Sequence, residues 1–168
     1  QRGAPLTDKN SPENWPVSRT FTVGDLNNDL KPDLIALTDR GIDIRIQGSS
    51  DGQLITLNPD SLGGIELHDY DQDGWLDLIA FGKGIRIWRN VGKLGFRETT
   101  SDLGVGALSA AEIRQLAFVD IDNDGDSDWI LEDKDQGLRF IENQGANANQ
   151  LLKLRLFGNR SNHSGIGI

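Results

Sequence analysis

The stretch Asp120-Ile121-Asp122-Asn123-Asp124-Gly125-Asp126-Ser127-Asp128 decides how the whole chain is read. It sets carboxylates at positions 1, 3, 5 and 9 of a short loop, with glycine at position 6. Asp, Asn and Gly all favour turns, so one such stretch alone could be a solvated bend. The pattern recurs, however, in Asp69-Tyr70-Asp71-Gln72-Asp73-Gly74-Trp75-Leu76-Asp77, with the same carboxylate positions and the same glycine. A looser third copy is Asp25-Leu26-Asn27-Asn28-Asp29-Leu30-Lys31-Pro32-Asp33, where Asn27 takes position 3 and Leu30 takes position 6. A plain bend has no reason to keep one carboxylate register three times.

A tight loop with alternating oxygen-bearing side chains aims them at one centre and lets a main-chain carbonyl fill a gap. A hard cation needs that geometry, and calcium takes about six to eight oxygens. The predicted ligand sets are Asp25, Asn27, Asp29, the Lys31 carbonyl and Asp33; Asp69, Asp71, Asp73, the Trp75 carbonyl and Asp77; and Asp120, Asp122, Asp124, the Asp126 carbonyl and Asp128. Zinc is disfavoured because the chain has no Cys and only His68 and His163, whereas zinc draws on thiolates and imidazoles. The helix-loop-helix calcium sensor opens with the same pattern but closes with Glu at position 12. Here position 12 is Ala36, Ala80 and Leu131. Of the three loops, the first is expected to bind most weakly: it carries a neutral Asn27, and a left-handed Leu30 would cost about 1–2 kcal/mol. Pro32 offsets part of this by stiffening the unbound loop.

Each loop leads into a short apolar run: Leu34-Ile35-Ala36-Leu37, Leu78-Ile79-Ala80-Phe81, and Trp129-Ile130-Leu131. Such runs, bounded by turn residues, read as strands buried on both faces. Around them lie Arg19 to Gly24, the alternating Ile42, Ile44 and Ile46, and Gln53 to Leu57. The unit restarts with Ile65 to His68, Ile85 to Arg89 and Phe96 to Thr99, and again with Gln115 to Val119 and Leu138 to Ile141. From first Asp to first Asp the steps are 44 and 51 residues. Four short strands repeating every 40 to 50 residues or so are the pattern of a propeller blade. The predicted fold is therefore all-β: three four-stranded β-propeller blades, at about 19–58, 65–100 and 115–150, with calcium loops between first and second strands. Residues 1–18 hold Pro5, Pro12 and Pro16 and read as a lead-in. The capping-box match Ser109-Ala110-Ala111-Glu112 leaves room for one helical turn at most.

The composition bounds the function. At 168 residues, 36% hydrophobic and 26% charged, the chain suits one folded domain. No apolar run approaches a bilayer span, and no charged-then-apolar leader precedes residue 19; the chain, lacking any Met, reads as a mature or excised segment. A net charge of -9 excludes a phosphate-backbone partner, which needs clustered Lys and Arg. Of 26 acidic residues, 11 stand at loop positions 1, 3, 5 and 9, so the acidity is largely a ligand inventory.

These residues resemble the FG-GAP/VCBS repeat family, the calcium-loop blades of integrin alpha-subunit propellers and of many secreted bacterial proteins. Asp69 to Leu78 carries its D-x-D-x-D-G-x-x-D-[LI] core, and Asp120 to Trp129 carries it with Trp last. The family's N-x-G turn stands at Asn90-Val91-Gly92 and Asn143-Gln144-Gly145, while of its naming elements only Phe81-Gly82 is kept. Residues 151–168, with Leu151-Leu152-Lys153-Leu154-Arg155-Leu156-Phe157-Gly158 and Ser161-Asn162-His163, resemble the start of an ASPIC/UnbV domain, as in proteins similar to cartilage acidic protein. The resemblance implies calcium as cofactor, a protein or glycan ligand, and an extracellular or periplasmic setting.

Other residues have plainer readings. His68 is expected to be a packed or surface side chain and His163 a loop residue; Trp75 and Trp129 are expected to pack between blades. Lys83, Arg86, Arg89, Lys93 and Arg97 read as a solvated strand face. No Cys nucleophile, G-x-S-x-G elbow or phosphate loop is present. The chain is thus expected to be a recognition scaffold without catalytic residues. The alternatives are a fragment of a calcium-dependent polysaccharide lyase or hydrolase whose catalytic residues lie elsewhere, and a structural stalk. Three blades do not close the usual ring, so further blades of the same chain or a second copy are expected to cover the ends.

Overall fold

The computed structural model describes residues 17–49 and 52–145. They form three antiparallel meanders. The first is β1 (Thr20–Gly24), β2 (Asp33–Thr38), β3 (Gly41–Arg45) and β4 (Gly52–Thr56), in that spatial order. The second is β5 (Leu62–His68), β6 (Asp77–Gly82), β7 (Gly84–Asn90) and β8 (Phe96–Glu98). The third runs β9 (Ile113–Val119), β10 (Asp128–Asp133) and β11 (Gly137–Ile141). Its expected fourth strand falls outside the described residues, as do most of the lead-in and the stretch 151–168.

Each acidic loop joins the first and second strands of its sheet, as the sequence predicts. The pairing continues to the loop's edge, with Gly24 opposite Asp33, His68 opposite Asp77 and Val119 opposite Asp128. The loop is therefore a hairpin connection whose ninth residue is already in a strand. Between the second and third sheets there is no α-helix: residues Thr100–Leu103 and Val105–Leu108 form 3-10 turns. No helix among the described residues is long and apolar enough to cross a membrane.

The sheets stack face to face, with β1 against β5 and β5 against β9, so the second strand of the middle sheet, β6, is covered on both sides. Ile35, Leu37, Ile42 and Ile44 of the first sheet meet Ile65, Leu78, Ala80 and Trp88 of the second. On the second sheet's other face Ile79, Phe81, Ile85 and Ile87 meet Ile113, Trp129 and Leu131 of the third. Fully burying one such side chain contributes about 1.5–3 kcal/mol, and this apolar sandwiching is what holds neighbouring blades together. The approach is close at Gly24, where an added Cβ would lie 2.7 and 2.8 Å from methyl groups of Leu67 and Leu76.

One strand departs from its expected pattern. The alternation Ile42-Asp43-Ile44-Arg45 predicts a single buried face, yet Asp43 is 3% exposed. Arg45 neutralises it, with Nε 2.7 Å from Asp43 Oδ1.

Candidate metal centres

The three loops share one backbone plan. Position 4 is left-handed in each, with φ of 57° at Asn28, 55° at Gln72 and 64° at Asn123. Position 6 is also at positive φ: 65° at Leu30, 88° at Gly74 and 107° at Gly125. Leu30 thus takes the strained conformation that the glycines take without a Cβ clash. Side-chain oxygens hold the turn. Asp69 accepts the N–H groups of Asp73 and Gly74 at 3.0 and 2.9 Å, and Asp25 accepts those of Asp29 and Leu30 at 3.1 and 2.7 Å. The position 5 carboxylate accepts the N–H of position 7 in all three loops, at Asp29, Asp73 and Asp124.

Position 9 has a second task. Asp33 accepts N–H bonds from Leu26 and Gln47, Asp77 from Tyr70 and Asn90, and Asp128 from Ile121 and Asn143, at 2.8 to 3.2 Å. Each buried carboxylate thereby ties loop position 2 to the chain leaving the third strand of its own sheet.

Oxygens of Asp69, Asp71 and Asp77 lie within 4.8 Å of one another, as do those of Asp120, Asp122 and Asp124. Among the described residues the first loop brings no such set of acids together. The gathered donors are all carboxylate oxygens, and the nearby imidazole of His68 instead stacks on Phe118 with ring centroids 3.9 Å apart. An oxygen-only set fits a hard divalent cation. The electrostatics of the protein without metal point the same way. Burial pushes the Asp77 carboxyl up to about 7, against the pull of two N–H donors and with the charges of Asp71 and Asp73 adding to the rise. Burial first and Asp73 second likewise raise Asp71. The Arg89 guanidinium already opposes the rise at Asp71, and a bound divalent cation would oppose both rises further.

The other predicted ligands fall as follows. Asp73 stands apart from the Asp69 set and is paired with Arg89. Asp128 and Asp33 serve as the main-chain brackets just described, while Asp25, Asn27 and Asp29 bond to their own loop. Lys31 does more than offer a carbonyl, since its ammonium lies 3.5 Å from Asp29. Asp126, predicted to contribute only its carbonyl, has its whole side chain buried.

Sequence reasoning missed how the loops talk across blades. Asn90 donates to the Leu26 carbonyl at 2.9 Å and Asn143 to the Tyr70 carbonyl at 2.8 Å, so each N-x-G asparagine grips position 2 of the preceding blade's loop. In return, position 4 grips forward: Asn28 donates to the Gly74 carbonyl at 3.1 Å and Gln72 to that of Gly125 at 2.7 Å. The sequence signal was the amide at position 4 of every loop.

Fold and loops together define a partial β-propeller whose blades carry acidic hairpins at one end. Residues 69–131 match the family model of the FG-GAP-like repeat. Two solved structures resemble the chain. One is a lectin from Agrocybe aegerita, described as specifically recognising non-reducing terminal N-acetylglucosamine, with TM-score 0.51 and 17% identity over 76% of this chain and 39% of that one. The other is BBS1N in complex with ARL6DN, soaked with lead, with TM-score 0.50 and 15% identity over 77% of this chain and 41% of that one. The chain therefore spans about two fifths of each, and at these identities the likeness establishes the fold. A search of the curated proteins gives no match.

Proposed function

We propose that the chain is a calcium-stabilised propeller scaffold that recognises a protein or a glycan, in a secreted or surface setting. The observation that carries this reading is the convergence of three carboxylates in each of two adjacent loops. Bound calcium would supply the positive charge that holds such carboxylates together. Asp69, Asp71 and Asp77 would hold one ion and Asp120, Asp122 and Asp124 another, with Asp73, Asp128 and the carbonyls of Trp75 and Asp126 as further donors. The loop from Asp25 is a weaker third site. Extracellular calcium suits modules of the millimolar class. The sheets and their clamps do the structural work, leaving loop and edge surfaces for a ligand. The lectin likeness supports a glycan and the BBS1N complex supports a protein, and among the described residues no convergent acid, base or nucleophile outside the loops favours catalysis.

The test is calorimetric titration of the chelated protein with calcium, alongside melting curves. A ligand at 100 times its Kd stabilises the folded state by about 2.7 kcal/mol per site, which for this size raises Tm by about 5–10 °C. Asp122→Ala should remove one binding step. Absence of any calcium-dependent rise in Tm would refute the metal reading, and glycan arrays with and without calcium then separate the ligand classes.

A further inference from the structure

We infer that Arg89 is a tethered counter-cation that lowers the affinity of the Asp69 loop for a divalent cation, so that the Asp120 loop fills first. The inference rests on the metal reading above and adds a residue that sets the order of filling. Arg89 belongs to the basic stretch that the sequence reads as a solvated strand face, but its side chain turns into the loop instead. Its Nε lies 2.7 Å from Asp71 Oδ2 and its Nη2 lies 2.8 Å from Asp73 Oδ2. One planar fork thus spans positions 3 and 5, both predicted ligands. The Asp73 contact is a charge-assisted hydrogen bond and the Asp71 contact an ion pair, so one guanidinium charge is shared between two loop carboxylates.

The fork is held in place by the chain behind it. The next residue, Asn90, is fully fixed: its main-chain N–H is taken by Asp77 and its amide by the carbonyls of Leu26 and Leu76. Arg89 therefore projects from an anchored strand end. The two loops also differ in which acids gather. In the third blade, positions 1, 3 and 5 converge as Asp120, Asp122 and Asp124. In the second, positions 1, 3 and 9 converge as Asp69, Asp71 and Asp77, while Asp73 at position 5 is left with Arg89 on one oxygen and the Trp75 N–H on the other. The residue before the N-x-G asparagine is Arg89 in the second blade and Glu142 in the third, so the local charge has opposite sign at the two loops. Calcium affinity follows the charge count of a loop. A cation entering the Asp69 loop must displace the guanidinium from two carboxylates or share them with it.

Calcium alone is titrated into the 168-residue chain, Arg89→Gln, Arg89→Lys and the charge control Arg86→Gln, whose parent side chain pairs with Glu98 away from the loop. Asp122→Ala identifies the tight step as that of the Asp120 loop. Removing the competing charge in Arg89→Gln should tighten the weaker step about tenfold and leave the tight step unchanged. Arg89→Lys keeps a charge without the fork and should tighten the same step by a smaller factor, about threefold. That variant carries the test should Arg89→Gln fail to fold. Arg86→Gln should change neither step. A weaker step that is unmoved or loosened by both Arg89 variants overturns this inference alone and makes Arg89 a support of the bound loop. No calcium heat in any variant overturns the metal reading and this inference with it.

Discussion

Asp33 separates two roles that Asp77 combines. In the Asp69 loop, Asp77 both belongs to the gathered acids and caps two main-chain N–H groups, so its loss would mix metal effects with folding effects. Asp33 caps Leu26 and Gln47 in the same way, in a loop that gathers no acid set among the described residues. Removing a buried acceptor leaves its donors unsatisfied at about 1–3 kcal/mol each. Asp33→Ala should therefore destabilise the protein by about 2–4 kcal/mol in denaturant unfolding even in chelator, where no bound ion contributes. A cost that vanishes in chelator would make Asp33 a metal ligand first. The carboxylate register itself was legible in the sequence, including the left-handed Leu30. The double duty of position 9 was not, because its second N–H donor comes from 13 to 15 residues further on, across a strand whose registry only the folded sheet defines. Arg89 was misread for the same reason: alternation along β7 gives its face of the strand, and the reach of its fork toward a loop depends on where that strand ends.

At the scale of the element, the unit of construction is a loop together with the asparagine of the following blade. The four cross-blade amide bonds form two pairs that run between equivalent positions, so each blade is docked in the same rotational register as the last. Apolar packing between sheets is non-directional and would tolerate sliding; these polar contacts do not. Asn90 is 2% exposed, donates to two carbonyls and accepts the Gly92 N–H. Asn90→Ala should cost about 2–4 kcal/mol, lowering Tm in calorimetry by about 5–12 °C. Asn143→Ala, at a half-buried site, should cost less. If both cost under about 0.5 kcal/mol, packing alone sets the register. The strands were legible in place and order, with ends that run up to three residues further in the fold, since loop, apolar run and alternating run each carry their own period. The clamps were not, because the sequence marks an N-x-G turn but says nothing about which neighbouring carbonyl faces it.

At the scale of the molecule, the same regularity shows what the two outer sheets lack. By strand alternation Phe21, Val23 and Leu54 share the face of the first sheet that looks away from the second. Likewise Leu138, Phe140 and Val119 share the outward face of the third. These side chains make up most of the large exposed hydrophobics, with Phe21 and Phe140 each 63% exposed and Leu138 68%. The equivalents of Leu138 and Phe140 in the other two blades, Ile42 and Ile44 or Ile85 and Ile87, are all buried by the next sheet. The polar clamps end in step with the apolar faces. Asn123 stands where Asn28 and Gln72 reach forward, and the carbonyl of Ile121 stands where those of Leu26 and Tyr70 are gripped. The outward face of the third sheet thus carries both halves of what the internal interfaces use to receive a blade, and a further blade is the cover that matches it, whether it comes from the same chain or from a second copy. Contiguous apolar surface of this kind drives association. The 168-residue chain alone should therefore bind an apolar dye and self-associate in light scattering, and the double variant Leu138→Lys with Phe140→Lys should reduce both while keeping calcium binding at the Asp69 loop. A compact, monodisperse monomer with no dye binding would show that the two end faces are finished surfaces, and that three blades of this repeat stand without a ring.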